Sequence, residues 1–329
     1  MKVFDYIVIG AGIEGSSTAY HLAKNGHHTL LLEQFTVPHT RGSSHGGSRI
    51  TRYIYDYPVY TEMLINANKD WAELEKAVGT KLFEKAGTLF ASESQKLIDD
   101  HVAVMAKFQL DCSGIISSYE INRRWPGIRL GPSYQGIFDP QGGVLRADKC
   151  LRAFQRLGLD LPLKPQKIEV CYWKARNPEL YTPDRFPTII IHDRHDVEMF
   201  GLPIVEYPGL VKYCNHFGSS IDPNNRDRVN AISQDSLKQF IHDNFPYLEP
   251  HQPAITETCI YTWTPDENFI MDRHPHFKNV VIGAGFSGHG FKFAPAVGKI
   301  LSCMVAMEHV PYQLDIFSID RFKKNSSKI

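Results

Sequence analysis

The chain has 329 residues, of which 43% are hydrophobic and 22% charged, so it can form one large or two ordinary globular domains with a substantial core. Lys and Arg together number 36, as do Asp and Glu, and this zero balance excludes the basic excess typical of proteins that bind nucleic acids or anionic membranes. The sequence contains no run of 18 apolar residues, so it predicts no membrane-spanning helix. The six cysteines show no CxxC spacing and we expect no signal peptide, which favours free thiols in a reducing compartment.

The N-terminal segment predicts a βαβ unit. Residues 4–9 have the composition of a short buried strand, and the glycine-rich loop GAGIEG follows. The next residues have helical spacing up to Gly26, which is typical of a helix end. Residues 28–32 predict a second buried strand that ends at Glu33. Such a unit opens the Rossmann-like class of α/β domains.

The first glycine loop carries the G-x-G-x-x-G pattern at Gly10, Gly12 and Gly15. The pattern is weak alone, but here it follows a predicted strand and opens a predicted helix. Glu33 ends the next strand 18 residues after Gly15, which suits an acid that binds a ribose hydroxyl. The helix N-terminus offers free N–H groups to phosphates. The loop therefore favours a dinucleotide site over a purely structural turn.

The rest of the chain alternates predicted helices and strands without tandem repeats or low-complexity segments. Helical spacing predicts helices at residues 60–76, 95–109, 147–157, 234–245 and 290–307. Apolar or alternating runs predict strands at residues 82–92, 168–174, 259–265 and 279–285, with several short strands up to residue 217.

A second G-x-G-x-x-G pattern occurs at Gly283, Gly285 and Gly288. No strand ending in an acid follows it, so it cannot complete a second mononucleotide unit. Two interpretations stay open. It is either a tight strand–helix turn or a helix N-terminus that faces negative charge on the same cofactor.

Five long segments of the chain are informative together, and they are DYIVIGAGIEGSSTAYHLAKNG, LLLEQFTVPHTRGSSHGGSRITR, FDPQGGVL, CIYTWTPDENFIMDRHP and NVVIGAGFSGHGFKFAPAVGKIL. These segments resemble the monomeric sarcosine oxidase family. The segments GLPIVEYPGL and VCYWK resemble its animal peroxisomal branch, whose members oxidise sarcosine and L-pipecolate.

The resemblance implies an α/β protein, α+β overall, of the GR2-type FAD-dependent oxidoreductase fold. Its Rossmann-like FAD-binding domain would comprise residues 1–58, 136–160 and 266–329. A mixed-sheet substrate domain would comprise residues 59–135 and 161–265. The implied reaction oxidises secondary amino acids, namely sarcosine, L-pipecolate or L-proline, to imines while dioxygen becomes hydrogen peroxide. The sequence does not rank the three substrates.

The resemblance also implies roles for six residues around substrate and flavin. Lys212 matches the lysine that activates oxygen, where a cation stabilises developing negative charge, and His216 matches a histidine near substrate. Arg52 and Lys292 match the pair that binds the substrate carboxylate, which suits a planar guanidinium. Tyr261 would add a hydroxyl at the substrate or flavin edge, and Arg49 would stabilise reduced flavin. Without the motifs these side chains would be interpreted as surface charges, a strand lysine or a core histidine.

Cys259 matches the family cysteine that is joined covalently to the flavin ring, a bond that needs a thiolate. A lone strand cysteine is otherwise more often a buried apolar residue. Asp272 and His274 lack the further ligands that a metal needs, so we predict no metal. The implied FAD-binding residues are Gly10, Ala11, Gly12, Gly15, Glu33, Gln34, Ser43, Ser44, His45, Arg49, Cys259, Gly285, Gly288 and Lys292.

The chain departs from the family after the helix predicted at 147–157. Leu157-Gly158 runs directly into LDLPLKP, and about sixty family residues that complete the FAD-domain sheet are missing. Exposed strand edges and apolar surface should follow. We interpret this as a splice or gene-model variant, which sequencing the transcripts across codons 157–159 would test. The alternative function is therefore a catalytically impaired, cofactor-poor form of the oxidase.

The last three residues, Ser327-Lys328-Ile329, resemble the peroxisomal signal S-K-L and its variants. They predict a peroxisomal protein and an import receptor as partner, although a terminus can end this way by chance. The remaining predicted partners are a secondary amino acid and dioxygen, with no nucleic acid or membrane. We expect a monomer. A relative that acts on D-amino acids or glycine is a further alternative, against which Cys259 in its motif argues.

Overall fold

The computed structural model describes residues 3–33, 42–44, 46–145, 164–193, 197–221, 234–275 and 279–325. The helices of this part are α1 (Ile13–Lys24), α2 (Pro58–Val78), α3 (Gln95–Lys107), α4 (Ser118–Arg124), α5 (Asp235–Asn244) and α6 (Ala294–Val305). The first eight strands are β1 (Tyr6–Ile9), β2 (Thr29–Leu32), β3 (Arg49–Thr51), β4 (Phe83–Lys85), β5 (Thr88–Ser92), β6 (Ile115–Ser117), β7 (Gln135–Asp139) and β8 (Gly143–Leu145). The next eight are β9 (Lys164–Lys174), β10 (Thr188–His192), β11 (Glu198–Leu202), β12 (Leu210–Asn215), β13 (Ser219–Ser220), β14 (Ile255–Trp263), β15 (Ile270–Arg273) and β16 (Val281–Ala284).

The predicted βαβ unit is present at the N-terminus. Strands β1 and β2 pair in parallel from Tyr6↔Thr29 to Ile9↔Leu32, with α1 between them in the chain. Helix α1 packs closely on α6, since a Cβ added at Gly298 would meet Ser17 at 2.3 Å. The first glycine loop is therefore held between the first strand and the last helix.

The sheet with the most strands in the described structure is a mixed nine-stranded sheet. Its order is β13-β9-β12-β11-β10-β5-β7-β6, and β14 also pairs with β9. Strands β5 and β10 pair in parallel while the other pairs are antiparallel. This sheet beside the N-terminal βαβ unit confirms the predicted fold class.

The sheet lies between two hydrophobic cores. Along β10, Ile189 and Ile191 belong to one core and Ile190 to the other. Because successive strand residues point to opposite faces, both faces of the sheet centre are covered. An aromatic group that includes Tyr60, Phe269 and others lies in the second core with α2 and α6. This packing fixes the segment before α6 against the sheet.

Several predicted boundaries shift. The strand predicted at 82–92 is two strands, β4 and β5, because Gly87 between them has φ +71°, a left-handed conformation that ends the first strand. The predicted helix at 147–157 and the Leu157-Gly158 junction lie outside the described residues. No described helix is both long and apolar enough to cross a membrane.

The parallel sheet of the N-terminal unit is small. Among the described residues, β1 and β2 pair only with each other. Large apolar side chains on them stay exposed, with Ile7 at 57%, Ile9 at 44% and Leu32 at 41% of full exposure. Parallel strands are ordinarily buried on both faces, so this surface is unusual for such a sheet.

Candidate active site

One cavity brings most of the predicted site together. Its walls are β12 and β14, the segment around β3, and the turn before α6. Its empty space is about 850 Å³ when the solvent at its open mouth is included. Predicted site residues that line it are Arg49, Arg52, Lys212, His216, Cys259, Tyr261, Gly288 and Lys292.

The glycine loop forms a separate, tight turn at the start of α1. Gly10 has φ +109°, and a Cβ on Gly15 would lie 1.7 Å from the carbonyl oxygen of Gly10. Only glycine permits this approach of helix to strand. Ser44 accepts a hydrogen bond from Ile13 N at 3.1 Å, so the segment that leads to β3 is tied to the helix N-terminus.

The remaining predicted nucleotide contacts are distributed around this turn. Ala11 is buried, and Glu33 follows the last residue of β2. Ser43 and Ser44 lie on the segment between the turn and the cavity, whereas Gln34 and His45 lie outside the described residues. Gly285 has φ +64° at the end of β16, and it does not line the cavity.

Arg52 presents unsatisfied donors within the site. Its Nε and Nη1 atoms are buried and have no hydrogen-bond partner among the described residues. The guanidinium carbon lies 4.6 Å from the ring centre of Tyr55, which holds the side chain in place. A buried donor without an acceptor is costly, so a ligand carboxylate is the natural partner of this group.

Lys292 lies in a 3-10 turn (Phe291–Phe293) just before α6, rather than within the final helix as the sequence predicted. Its Nζ donates to the carbonyl of His289 at 2.8 Å. Burial, and then the charge of Arg52, hold the pKa of Lys292 well below its usual range. An anion beside both cations would restore the charged form of the amine.

Arg49 stabilises the loop that leads into β3 through hydrogen bonds to its backbone. Its two terminal nitrogens donate to the carbonyls of Ser48 at 2.7 Å and Ser43 at 2.9 Å. The guanidinium also lies 5.3 Å from the ring centre of Phe291. The positive charge is thus fixed at the cavity wall by backbone oxygens.

Strand β14 supplies one wall. Glu257, Cys259 and Tyr261 alternate along it and all three line the cavity. The Cys259 thiol is buried, with its Sγ 3.9 Å from the carbonyl oxygen of Ser43. Gly288 is needed beside this wall, because a Cβ there would meet Tyr261 at 2.6 Å.

His216 pairs with an acid that the sequence reasoning missed. Its Nδ1 lies 3.7 Å from Oε1 of Glu198 on β11. Burial, and then the charges of Arg52 and Lys292, lower the pKa of His216 against the opposing effect of Glu198. Burial alone would raise the pKa of Glu198, but its cationic neighbours lower it. The sequence signal that could have revealed Glu198 is an acid at the start of the otherwise apolar strand β11.

Lys212 is paired with a second missed acid, Glu206. Lys212 Nζ donates to Glu206 Oε1 at 2.8 Å and to Ser48 Oγ at 3.1 Å. The Glu206 carboxylate also accepts from Gly47 N at 3.0 Å, from Ser48 Oγ, and from Tyr172 Oη at 3.0 Å. Burial would raise its pKa, but the charge of Lys212 and these hydrogen bonds lower the pKa of Glu206 to about 2.

Asp272 has a structural role in the described chain. It accepts hydrogen bonds from Ser318 Oγ at 2.9 Å and Ile319 N at 2.8 Å, and so holds the segment after α6. Within the described residues, no three His, Cys, Asp or Glu side chains are grouped as metal ligands.

Comparison with known proteins decides the family. The profile of the FAD dependent oxidoreductase family matches residues 5–161 and 156–304. Peroxisomal sarcosine oxidase of Mus musculus is 39% identical over 97% of this chain and 96% of its own. Monomeric sarcosine oxidase of Bacillus sp. (strain B-0618) is 31% identical over 97% of this chain and 96% of its own.

The chain belongs to the sarcosine oxidase family of FAD-dependent oxidoreductases. It is accordingly an FAD-dependent amine oxidase by family. Solved structures agree on the fold. NikD, described as an unusual amino acid oxidase, superposes with a TM-score of 0.78 at 20% identity, covering 97% of this chain and 98% of its own. Glycine oxidase from Geobacillus kaustophilus gives 0.75 at 16% identity, covering 97% and 98%.

The alignments also bear on the shortened sequence. The alignment with the mouse protein extends over 377 positions, 48 more than this chain has residues. The two segments of the family match meet at residues 156–161, where the sequence places the Leu157-Gly158 junction. The aligned relative therefore has residues without a counterpart here.

The described residues fit FAD on their own geometry. The close approach of Gly15 to Gly10 brings the start of α1 against β1, and a helix N-terminus in such a turn suits phosphates. Glu14 on that first turn is half-buried with its Oε2 atom enclosed, and burial raises the pKa of its carboxyl well above the usual value. The cavity with its thiol, hydroxyl and cations can take a planar polar ring.

We predict that Arg52→Gln weakens carboxylate binding by at least about tenfold. A charge-assisted hydrogen bond contributes roughly 1.5–3 kcal/mol, and about 1.4 kcal/mol corresponds to tenfold in affinity. Calorimetric titration with 2-furoate, a ring carboxylate without an amine, measures this. The exposed Arg124→Gln is the matched control and should bind like the parent; equal affinity of all three proteins would contradict the assignment of Arg52.

Proposed function

We propose that this enzyme oxidises secondary amino acids of the size of sarcosine, L-pipecolate or L-proline to imines, with dioxygen reduced to hydrogen peroxide. The observation that carries this is the pair of unsatisfied Arg52 donors beside Lys292, in the cavity that also holds Cys259. A carboxylate-binding pair next to a flavin-attachment thiol suits an amino acid whose C–H must face a flavin. The names of the sarcosine oxidases support the substrate class.

The protein's part in the reaction is binding and electrostatics, while bound FAD would accept the hydride equivalent from the amine carbon. Arg52 and Lys292 would hold the substrate carboxylate. His216, kept neutral by its surroundings, can accept a hydrogen bond from the amine. Tyr261 would orient substrate or flavin with its hydroxyl, and the fixed charge of Arg49 would stabilise the reduced cofactor.

Lys212 would act on dioxygen. Its ammonium group is buried, lines the cavity and is ion-paired with Glu206. A fixed cation stabilises negative charge as it develops on oxygen, and it does so strongly where water is excluded.

For the dinucleotide we propose that Gly10, Ala11, Gly12 and Gly15 bind the pyrophosphate and Glu33 the ribose. The remaining proposed contacts keep the roles that the family resemblance implies, and they are Gln34, Ser43, Ser44, His45, Gly285 and Gly288.

We also propose the two-domain division. The FAD-binding part comprises residues 1–58, 136–160 and 266–329, and the substrate part comprises residues 59–135 and 161–265. One bound needs adjustment. Strand β7 (Gln135–Asp139) pairs with β5 inside the nine-stranded sheet, so we place the start of the second FAD-binding segment after Asp139.

A cofactor-poor form with impaired catalysis is the second candidate. It is favoured by the exposed Ile7, Ile9 and Leu32 on a two-stranded parallel sheet, and by alignments longer than the chain. Strands missing from this region would uncover the adenine end of FAD. Lower flavin affinity, with an intact amino-acid cavity, is the form of impairment that these observations support.

We propose a peroxisomal location and a monomeric state. The tripeptide Ser327-Lys328-Ile329 and the name of the mouse relative support the first, and the name of the Bacillus relative supports the second. A fluorescent fusion with and without the tripeptide tests import, and sedimentation tests the mass. A cytosolic signal from both fusions would contradict the targeting proposal.

The activity itself is tested with purified protein after FAD is supplied. We expect reduction of the flavin and formation of peroxide with sarcosine, L-pipecolate or L-proline. Glycine and D-alanine are the matched primary amines and should react much more slowly. A yellow, folded protein that none of the three secondary amines reduces would refute the proposed substrate class, whereas a colourless protein that reacts only at high FAD concentration supports the cofactor-poor form.

Covalent attachment makes a separate prediction. Acid precipitation should leave flavin on the parent protein and release it from Cys259→Ser, since the bond needs this thiol. Cys112→Ser, at a thiol that does not line the cavity, is the control and should retain the flavin. Release of all flavin from the parent protein would show that attachment does not occur.

A further inference from the structure

A continuous chain of hydrogen-bonding side chains leads away from Lys212. Lys212 Nζ donates to Glu206 Oε1 at 2.8 Å, and Glu206 Oε2 lies 3.0 Å from Tyr172 Oη. The same Tyr172 Oη lies 3.0 Å from Oε2 of Glu257, whose Oε1 accepts from Tyr207 Oη at 2.6 Å. Four successive contacts thus join five side chains. None of these contacts belongs to the carboxylate pair or to the thiol.

The chain runs from the buried site towards the surface. Lys212 is 6% exposed and Tyr172 is 1% exposed, whereas Glu257 and Tyr207 are only partly buried. The Tyr207 ring packs edge-on against Tyr172 with 4.8 Å between centres, which fixes both hydroxyl groups. The geometry therefore joins Lys212, a buried side chain of the cavity, to Tyr207, which solvent reaches.

Tyr172 is the central link because a phenol has only one proton. Its oxygen faces a carboxylate on each side at 3.0 Å, so its own proton satisfies one contact at a time. A second proton that enters between Tyr172 and Glu257 completes the chain. Protons can then shift along the row from Tyr207 to Glu206, where the carboxyl group turns to carry the proton from the Tyr172 side to the Lys212 side.

Glu206 responds to the state of Lys212. While Lys212 is charged, it holds the pKa of Glu206 at about 2, so the carboxylate carries no proton. When Lys212 has given up its proton, that charge is gone and burial favours the neutral carboxyl. Glu206 can then take a proton from Tyr172 and pass it to the lysine.

The proposed oxidase has a use for such a path. Conversion of dioxygen to hydrogen peroxide takes two electrons and two protons; reduced FAD, when bound, supplies both electrons and one of the protons. The second proton must come from solvent. We infer that Lys212, Glu206, Tyr172, Glu257 and Tyr207 form a proton relay that delivers it, an inference that rests on the proposed oxidase function. Lys212 loses its proton to the reduced oxygen and regains one from Glu206, and Tyr207 is recharged by water.

Tyr172→Phe tests the relay, since it removes the central hydroxyl and keeps the ring and the Lys212–Glu206 pair. The holoenzyme is reduced by light or dithionite, so that no amine substrate is needed, and is mixed with oxygenated buffer in H₂O and in D₂O. We expect reoxidation to slow at least about tenfold, as for loss of a general acid, with a larger solvent isotope effect. Flavin reduction by the amine does not use the relay, so its rate should change less than about twofold.

Tyr213→Phe is the matched control. It lies on β12 next to Lys212, and its buried hydroxyl has no partner among the described residues. It should reoxidise like the parent. The relay is refuted if Tyr172→Phe and the control are reoxidised at the same rate. It is also refuted if Tyr172→Phe lowers the rates of both half-reactions together with the affinity for flavin. Failure of the amine to reduce the flavin would refute only the substrate proposal.

Infrared difference spectra give a readout other than activity. The reduced-minus-oxidised spectrum should contain a protonated-carboxyl band that shifts in D₂O. Glu257→Gln should remove or move that band, and Tyr172→Phe should change its frequency. A spectrum without any exchangeable carboxyl band in the parent protein would overturn the relay.

Discussion

The arrangement of the site depends on the contacts that the Glu206 carboxylate makes. It joins Gly47 N and Ser48 Oγ of the segment that enters β3 to Lys212 of β12 and Tyr172 of β9. Residues far apart in the chain are thereby held around one buried charge. Breaking a buried pair by removing one partner costs roughly 3–5 kcal/mol, because the other charge stays behind without compensation. The cavity wall and the ion pair therefore form together.

Charge balance explains much of the cavity. Four basic side chains line the described cavity, at Arg49, Arg52, Lys212 and Lys292. Lys212 is matched by Glu206, and Arg49 by backbone carbonyls. Arg52 keeps two unsatisfied donors, and the pKa of Lys292 is depressed. The unmet donors of Arg52 and the disfavoured charge of Lys292 thus make the space beside these two residues the place where an anionic group is most stabilised.

The sequence predicted what local patterns encode. The glycine loop, the βαβ unit and the alternation of β14 follow from strand and helix periodicity and from motif resemblance. Glu206 and Glu198 were missed because their roles depend on the return of β12 beside β9 and of β11 beside β12. Such long-range pairing has no local signature, and an isolated acid in a turn or strand is ordinarily a solvated group. The split of residues 82–92 at Gly87 was missed because the turn depends on a close approach to Phe138.

The most direct measurement is a double-mutant cycle of Glu206→Gln and Lys212→Met, with the free energy of unfolding measured in urea. Each single change should destabilise the protein by roughly 3–5 kcal/mol, and the double variant should lose far less than the sum of the two. Single effects that are small, and that add to within about 0.5 kcal/mol, would contradict a site organised around this ion pair.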